Sequence, residues 1–295
     1  MSAIADAPLT IRPVTPADGD DCARITYEAF ARLHDHHHFP RDFPTLDTAR
    51  QLTGLFIAHP GIWGVVAERG GRIVGCNFLD ERGAIRGVGP ISVDPESQRQ
   101  RVGRHLMAAV LQRGEGSRGI RLLQDSFNVQ SLSLYASLGF EVREPVVVMG
   151  GMPRSTQAPG IDVRPLTERD VDACGELCRH VHGFERTTEL RDALHSPGFS
   201  PVVATRGGRI TACATTLTFF PAACAVAETE EDMRGLILGA LRSGDAPASF
   251  LLPTRQSELF RWCLTEGLRV VKPMTYMSIG EYNDPKGCWI PSVLY

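Results

Sequence analysis

Three arginines crowd one short stretch of this chain. Arg99, Arg101 and Arg104 surround Gly103, and Arg113, Arg118 and Arg121 follow before the next apolar segment. Glu115 is the lone acid between Gln98 and Arg121, although the whole chain carries a net charge of −3. The spacing of Val102, Leu106, Val110 and Leu111 predicts a helix opening near Arg101. A helix start presents free N–H groups and the positive end of the dipole, so an anion is favoured there. Gly103 lets the backbone approach a guest closely. A diphosphate is the natural occupant; a solvated basic loop is the alternative.

Asn128 precedes a helix that it can cap, and Tyr135 shares a face of that helix with Leu132 and Leu138. Asp80, Glu81 and Asp125 are acids at strand ends and read as surface carboxylates rather than a general base. His34, His36, His37 and His38 read as a loop after the first helix, with solvation, an acceptor-site wall or a metal as open roles.

These residues need elements to hold them. Ile91 and Val93 alternate with Ser92 as in a strand, and Asp94-Pro95 ends it. Gly87, Gly89 and Pro90 interrupt a ladder just before it, leaving backbone open. Upstream, Thr15 and Asp18 mark a helix start after a strand at 10–13, and a second helix covers 47–58. Strands at 64–68 and 73–80 meet at Gly70-Gly71.

The same order recurs later in the chain. The run from Ile11 to Thr15 returns as Val163 to Thr167, and Asp18, Asp20 and Cys22 return as Asp170, Asp172 and Cys174. The turn Arg69-Gly70-Gly71-Arg72 returns as Arg206-Gly207-Gly208-Arg209. Gly139, Val142, Pro145 and Met149 are echoed by Gly267, Val270, Pro273 and Met277. The repeat predicts an α/β (α+β) chain: a domain over 1–150, a linker over 151–160 and a domain over 161–295. Each would be a mixed, mostly antiparallel sheet flanked by helices.

Val93-Asp94-Pro95 followed by Gln98-Arg99-Gln100-Arg101-Val102-Gly103 resembles the first signature of the GNAT (general N-acetyltransferase) superfamily. Asn128, Ser131, Tyr135, Gly139 and Phe140 resemble its second signature. The resemblance covers Leu9 to about Met149, and the paired copies resemble tandem bacterial proteins of that superfamily. It implies acetyl-CoA as co-substrate, no metal, and direct attack by an amine on the thioester. Ile91, Ser92 and Val93 would hold the pantetheine arm. Gln98, Arg99, Gln100, Arg101, Val102, Gly103 and Arg104 would hold the diphosphate. Asn128 and Ser131 would bind the coenzyme arm, and Tyr135 would protonate the departing sulfur. The acceptor implied is a small-molecule amine. A sensor that binds without turnover, or transfer to a protein N-terminus or lysine, are the alternatives. Arg101 departs from the family glycine and fits comfortably only if its φ stays negative.

The second copy lacks these features. Its corresponding loop, near 225–234, carries Glu228, Glu230, Glu231 and Asp232, which repel a diphosphate. Cys263 stands in the place of Tyr135 and Gln256 in that of Asn128. That copy reads as a degenerate partner, with the tail from Asn283 packed between copies or on another subunit, so a homodimer is an option.

The bulk composition excludes more than it assigns. At 295 residues, 43% hydrophobic and 22% charged, the chain suits two ordinary globular domains. Its charge gives no general pull toward nucleic acid or membranes. The N-terminus has no signal-peptide pattern, and no stretch approaches the ~18 apolar residues of a span. Eight scattered cysteines suit buried thiols in the cytoplasm.

Overall fold

The computed structural model describes residues 7–244 and 246–294. They divide into two compact units. The first runs through Leu122 and takes in Phe127–Gly139; the second holds Leu123–Ser126 and everything from Phe140 onward. Among the described residues no helix is long and apolar enough to cross a membrane.

The first unit comprises β1 (Leu9–Pro13), α1 (Gly19–His37), α2 (Leu46–Ala58), β2 (Ile62–Arg69), β3 (Arg72–Asp80), β4 (Ile85–Val88), β5 (Ser92–Val93) and α3 (Val102–Arg113). The start of β6 (Gly119–Asp125) and α4 (Val129–Ser137) complete it. Its sheet runs β1-β2-β3-β4-β6, with β5 attached to β3 alone. All pairs are antiparallel except β4 with β6. The β2–β3 hairpin turns on Gly70 (φ 56°) and Gly71 (φ 76°), the positive values that a two-residue turn between twisted strands demands. Cys22 and Ile25 of α1 pack on Val66, Ile73, Cys76 and Phe78 of the sheet. Val102, Leu106, Met107 and Val110 bury the inner face of α3; of the stripe read from the sequence, Leu111 is half-buried and Met107 takes its place.

The second unit takes up β7 (Glu141–Gly151), β8 (Asp162–Pro165), α5 (Val171–His182), α6 (Thr187–His195), β9 (Val202–Arg206), β10 (Arg209–Ala214) and β11 (Ala225–Ala227). After these come α7 (Glu230–Ala240), β12 (Ala248–Pro253), α8 (Ser257–Thr265), β13 (Arg269–Gly280) and β14 (Cys288–Ile290). One sheet has the order β14-β11-β10-β9-β8. Elsewhere β7 lies between β13 and β12, and β13 follows the end of β6. Within the tail, β14 extends the second sheet beside β11, Val226 opposite Trp289.

The repeat is visible at the level of single atoms. Arg12 donates twice to the Asp18 carboxylate at 2.8 Å, and Thr15 adds its N–H and hydroxyl at 2.8 Å. Arg164 and Thr167 surround Asp170 in the same way at 2.7–2.9 Å. The compact units nevertheless part after Gly139, ahead of the 151–160 linker that the sequence suggests. The reason is β7, the last strand of the first copy. It pairs with β13 from Arg269↔Gly150 to Ser278↔Glu141 and with β12 from Ala248↔Gly151 to Pro253↔Val146. Both partners come from the second copy.

The paired arginines hold Asp18 and Asp170 well below the usual carboxylate range, and the Thr hydrogen bonds add to this. A depressed pKa contributes stability that is present above the unfolded value, ~3.9, and lost as pH falls below it. Asp18→Asn and Asp170→Asn should each cost about 1–2 kcal/mol at pH 7, the lower end applying to Asp170 because Arg164 is 46% exposed. Thermal melts at stepped pH should show each variant losing less of its remaining stability than wild type below pH ~4. Parallel acid branches would exclude these carboxylates as the cause.

Candidate active site

The site in the first unit starts at an interrupted strand. The parallel ladder runs from Ile85↔Gly119 to Val88↔Leu122 and stops. Gly89 follows with φ 139°, then Pro90 across a cis bond. The Gly89 N–H donates to Phe78 O at 3.0 Å, while Pro90 has no N–H to give. Beyond them, among the described residues, β5 pairs only with β3, Cys76↔Ser92 and Gly75↔Val93. Ile91 lies just outside β5, half-buried like Val93. This short segment has one edge in the sheet and one edge with no strand on it. The Ser92 hydroxyl is buried on it without a partner.

The chain then turns on Asp94. Its Oδ1 accepts from the Glu96 N–H at 2.9 Å and its carbonyl from the Ser97 N–H at 2.8 Å. Arg99 and Arg101 both adopt left-handed backbone, φ 66° and 64°. Arg101 thus lies outside the negative φ at which an arginine fits comfortably. The turn into α3 needs the left-handed geometry at this position, and Arg101 adopts it at a cost of about 1–2 kcal/mol. The Arg101 carbonyl is fixed by the His105 N–H at 3.2 Å and the His105 Nδ1–H at 2.9 Å. Ahead of His105, the amides of Val102, Gly103 and Arg104 are the donors that every helix start leaves over.

The arginine side chains around this turn differ. Arg99 and Arg101 are exposed, as are Gln98 and Gln100. Gln100 accepts from Arg69 and donates to Glu96 O at 3.3 Å. The Arg104 guanidinium donates to Ser137 Oγ at 2.7 Å, tying the start of α3 to the end of α4. Gly103 sits between the two helices. A methyl group added there would meet Leu134 at 3.5 Å and Val93 at 3.7 Å, ordinary contacts. Neither backbone conformation nor internal packing requires a glycine at this place.

Asn128 caps α4, its Oδ1 accepting from the Ser131 N–H at 3.1 Å. That leaves its NH₂ group to address a ligand. Ser131 is half-buried and Tyr135, one turn on, is 5% exposed. The β5 edge, the α3 start and α4 lie in the same compact unit.

The acids near these elements are engaged. Asp80 is buried and paired with Arg82 at 2.6 Å, and Glu81 receives Arg113 at 2.9 and 3.1 Å. Asp125 is no surface carboxylate: it is buried in the second unit, 2.6 Å from the buried Lys272 ammonium. The histidine cluster is also corrected. It forms the last turns of α1, with His38 closing the helix in the left-handed region. His36, His37 and His38 are exposed, but His34 is fully buried. Its Nδ1–H donates to Phe30 O at 2.8 Å, its Nε2 faces Asp42 at 3.4 Å, and its ring meets Phe127 edge-on at 5.6 Å.

In the second unit the corresponding positions are filled from within. The α7 start holds Asp232, fully buried, which accepts from Arg206 at 3.0 Å, Thr211 at 2.7 Å and Thr229 at 2.6 Å. Gln256 caps no amide; it donates to Trp289 O at 2.7 Å and accepts from Trp289 N–H at 2.9 Å. Burial pushes the Cys263 thiol up to about 12. One group escaped the sequence reading: Glu144 on β7, 3% exposed. It stands in step with Val146 and Val148, both buried, and that period of two was the available signal.

Residues 60–142 match the acetyltransferase (GNAT) domain family. No curated protein matches the chain. Among solved structures, a candidate acetyltransferase from Pyrococcus horikoshii aligns over 97% of this chain and 96% of its own, with TM-score 0.74 and 17% identity. A GCN5-related N-acetyltransferase from Sphaerobacter thermophilus aligns over 95% and 98%, with TM-score 0.59 and 13% identity. A tandem GNAT protein from the clavulanic acid biosynthesis pathway aligns over 94% and 100%, with TM-score 0.57 and 12% identity. At such identities the likeness is one of fold. Residues 60–142 therefore match a GNAT acetyltransferase domain, and the chain shares its fold with solved structures that include a tandem GNAT protein.

Proposed function

We propose that the protein transfers an acetyl group from acetyl-CoA to the amine of a small-molecule acceptor, by direct attack in a ternary complex. The observation that carries this reading is the sequence of features along one stretch: an unpaired β5 edge, a left-handed turn with exposed arginines, and a helix start with free amides. Two details fit the coenzyme. Gly103 leaves room for which the fold itself has no use, and the Ser92 hydroxyl is buried without a partner.

Acetyl-CoA supplies the thioester carbon that the amine attacks. Backbone groups of Ile91, Ser92 and Val93 hold the extended arm as a neighbouring strand would. Amides from Gln98 to Arg104, with the Arg99 and Arg101 side chains, receive the diphosphate. Asn128 and Ser131 orient the arm. Tyr135 donates its phenolic proton to the departing sulfur. With Asp80 and Glu81 held by arginines, proton removal from the amine falls to solvent, and positioning supplies most of the acceleration. The second unit has its helix start occupied by Asp232 and carries no such role. The eight buried cysteines support the cytoplasm as the working compartment.

Release of CoA from acetyl-CoA in the presence of an amine panel tests the reading. Saturable turnover with at least one small amine is expected. Coenzyme binding with no turnover on any amine would favour a sensor, and turnover on peptides alone a protein acetyltransferase. Gly103→Ala sharpens the test. Alanine inside a helix should raise stability by about 0.5–1 kcal/mol. Coenzyme affinity measured by calorimetry should fall at least severalfold, since the methyl group occupies the space beside the amides. Unchanged affinity would place the diphosphate elsewhere.

A further inference from the structure

The second unit contains a buried acid with no function in this scheme. Glu144 is 3% exposed, and its Oε2 has no hydrogen-bond partner. Its Oε1 accepts from Tyr282 Oη at 3.1 Å. Arg255 comes no nearer than 3.6 Å to Oε1, and the same nitrogen lies 3.5 Å from Asp284. A buried carboxylate with one phenol and one distant guanidinium is poorly compensated. Burial raises its pKa above the ordinary value against the pull of Arg255 and Tyr282, and Asp284 adds to the rise.

Aromatic rings adjoin this acid. Tyr276 lies directly opposite Glu144 in the β13–β7 pairing, so their side chains share a sheet face. The Tyr276 ring lies 6.1 Å from that of Tyr282 and 5.6 Å from that of Trp289. Trp289 is pinned by its two backbone bonds to Gln256 and by the β14–β11 pairing. Half-buried Tyr282 and Arg255, 58% exposed, form the solvent side of the group. A carboxylate oxygen without a donor beside aromatic rings is the combination that recognises an ammonium group.

We propose that the second unit binds a small organic cation, its ammonium group seated against Glu144 Oε2 and walled by Tyr276, Tyr282 and Trp289. Arg255 occupies the approach in the free protein and gives way to the ligand. The site is separate from the coenzyme-binding residues and does not depend on acetyl transfer.

The test uses the full-length protein without acetyl-CoA, titrated calorimetrically with choline, putrescine and glycinamide. At least one should bind saturably with one site per chain and change the tryptophan fluorescence, the change vanishing in Trp289→Phe. Glu144→Gln should weaken that binding tenfold or more while CoA affinity stays at the wild-type value. Arg255→Gln, at a side chain 58% exposed, should strengthen it severalfold by removing the competing guanidinium, with a thermal melt to show that the variant is folded. No saturable binding by any of the three cations would overturn the proposal. So would wild-type affinity in Glu144→Gln, or weaker binding in Arg255→Gln; a purely structural Glu144 would not predict the gain.

Discussion

Tyr135→Phe should lower kcat by about 100-fold while the Kd for CoA stays near wild type. The ring is buried on α4 at 5% exposure, and phenylalanine preserves its packing while removing only the O–H. An interaction made only as the sulfur departs lowers kcat and kcat/KM together and leaves ground-state binding alone. The measurement is steady-state CoA release, with a thermal melt to show that the variant is folded. Wild-type kcat in the phenylalanine variant would make Tyr135 a core residue and return proton donation to solvent.

The second large effect concerns the cationic turn. Arg99→Glu with Arg104→Glu should weaken coenzyme binding well over tenfold, at about 1.5–3 kcal/mol for each charged hydrogen bond lost. The two positions contribute differently. Arg99 is exposed in left-handed backbone, with its side chain directed by that unusual geometry. Arg104 already donates to Ser137, so its share depends on its remaining N–H groups. Single variants should therefore show Arg99→Glu as the larger loss. Raising ionic strength should weaken wild-type binding more than that of the double variant, because fewer charges remain to be screened. Equal affinities at all salt concentrations would remove the side chains from the diphosphate site and leave the amides alone.

The left-handed arginines bear on how such a loop tolerates substitution. The conformation at Arg101 is maintained without glycine because its carbonyl is held twice by His105, and because α3 is anchored by four buried apolar residues behind it. The local strain is outweighed by the packing of the helix it opens. Sequence reasoning treats the arginine as a conflict with the turn; the folded chain keeps the turn and places the arginine in it.

What could be read from the chain alone were the features decided by neighbours in sequence. The Thr-x-x-Asp helix starts at Thr15 and Thr167, the Gly-Gly hairpins, the apolar stripe of α3 and the cap at Asn128 all close within a few residues. Their geometry follows from local bond rotation and hydrogen bonding. The tertiary structure alone decided which strands lie side by side. That β7 of the first copy sits between β12 and β13 of the second leaves no mark on its alternation, since a strand looks the same from sequence whichever partner it finds. For the same reason the meeting of Asp125 with Lys272 and the enclosure of His34 were invisible. The cost of hiding a charged or polar group depends on what approaches it from distant segments, and only the assembled fold supplies those neighbours.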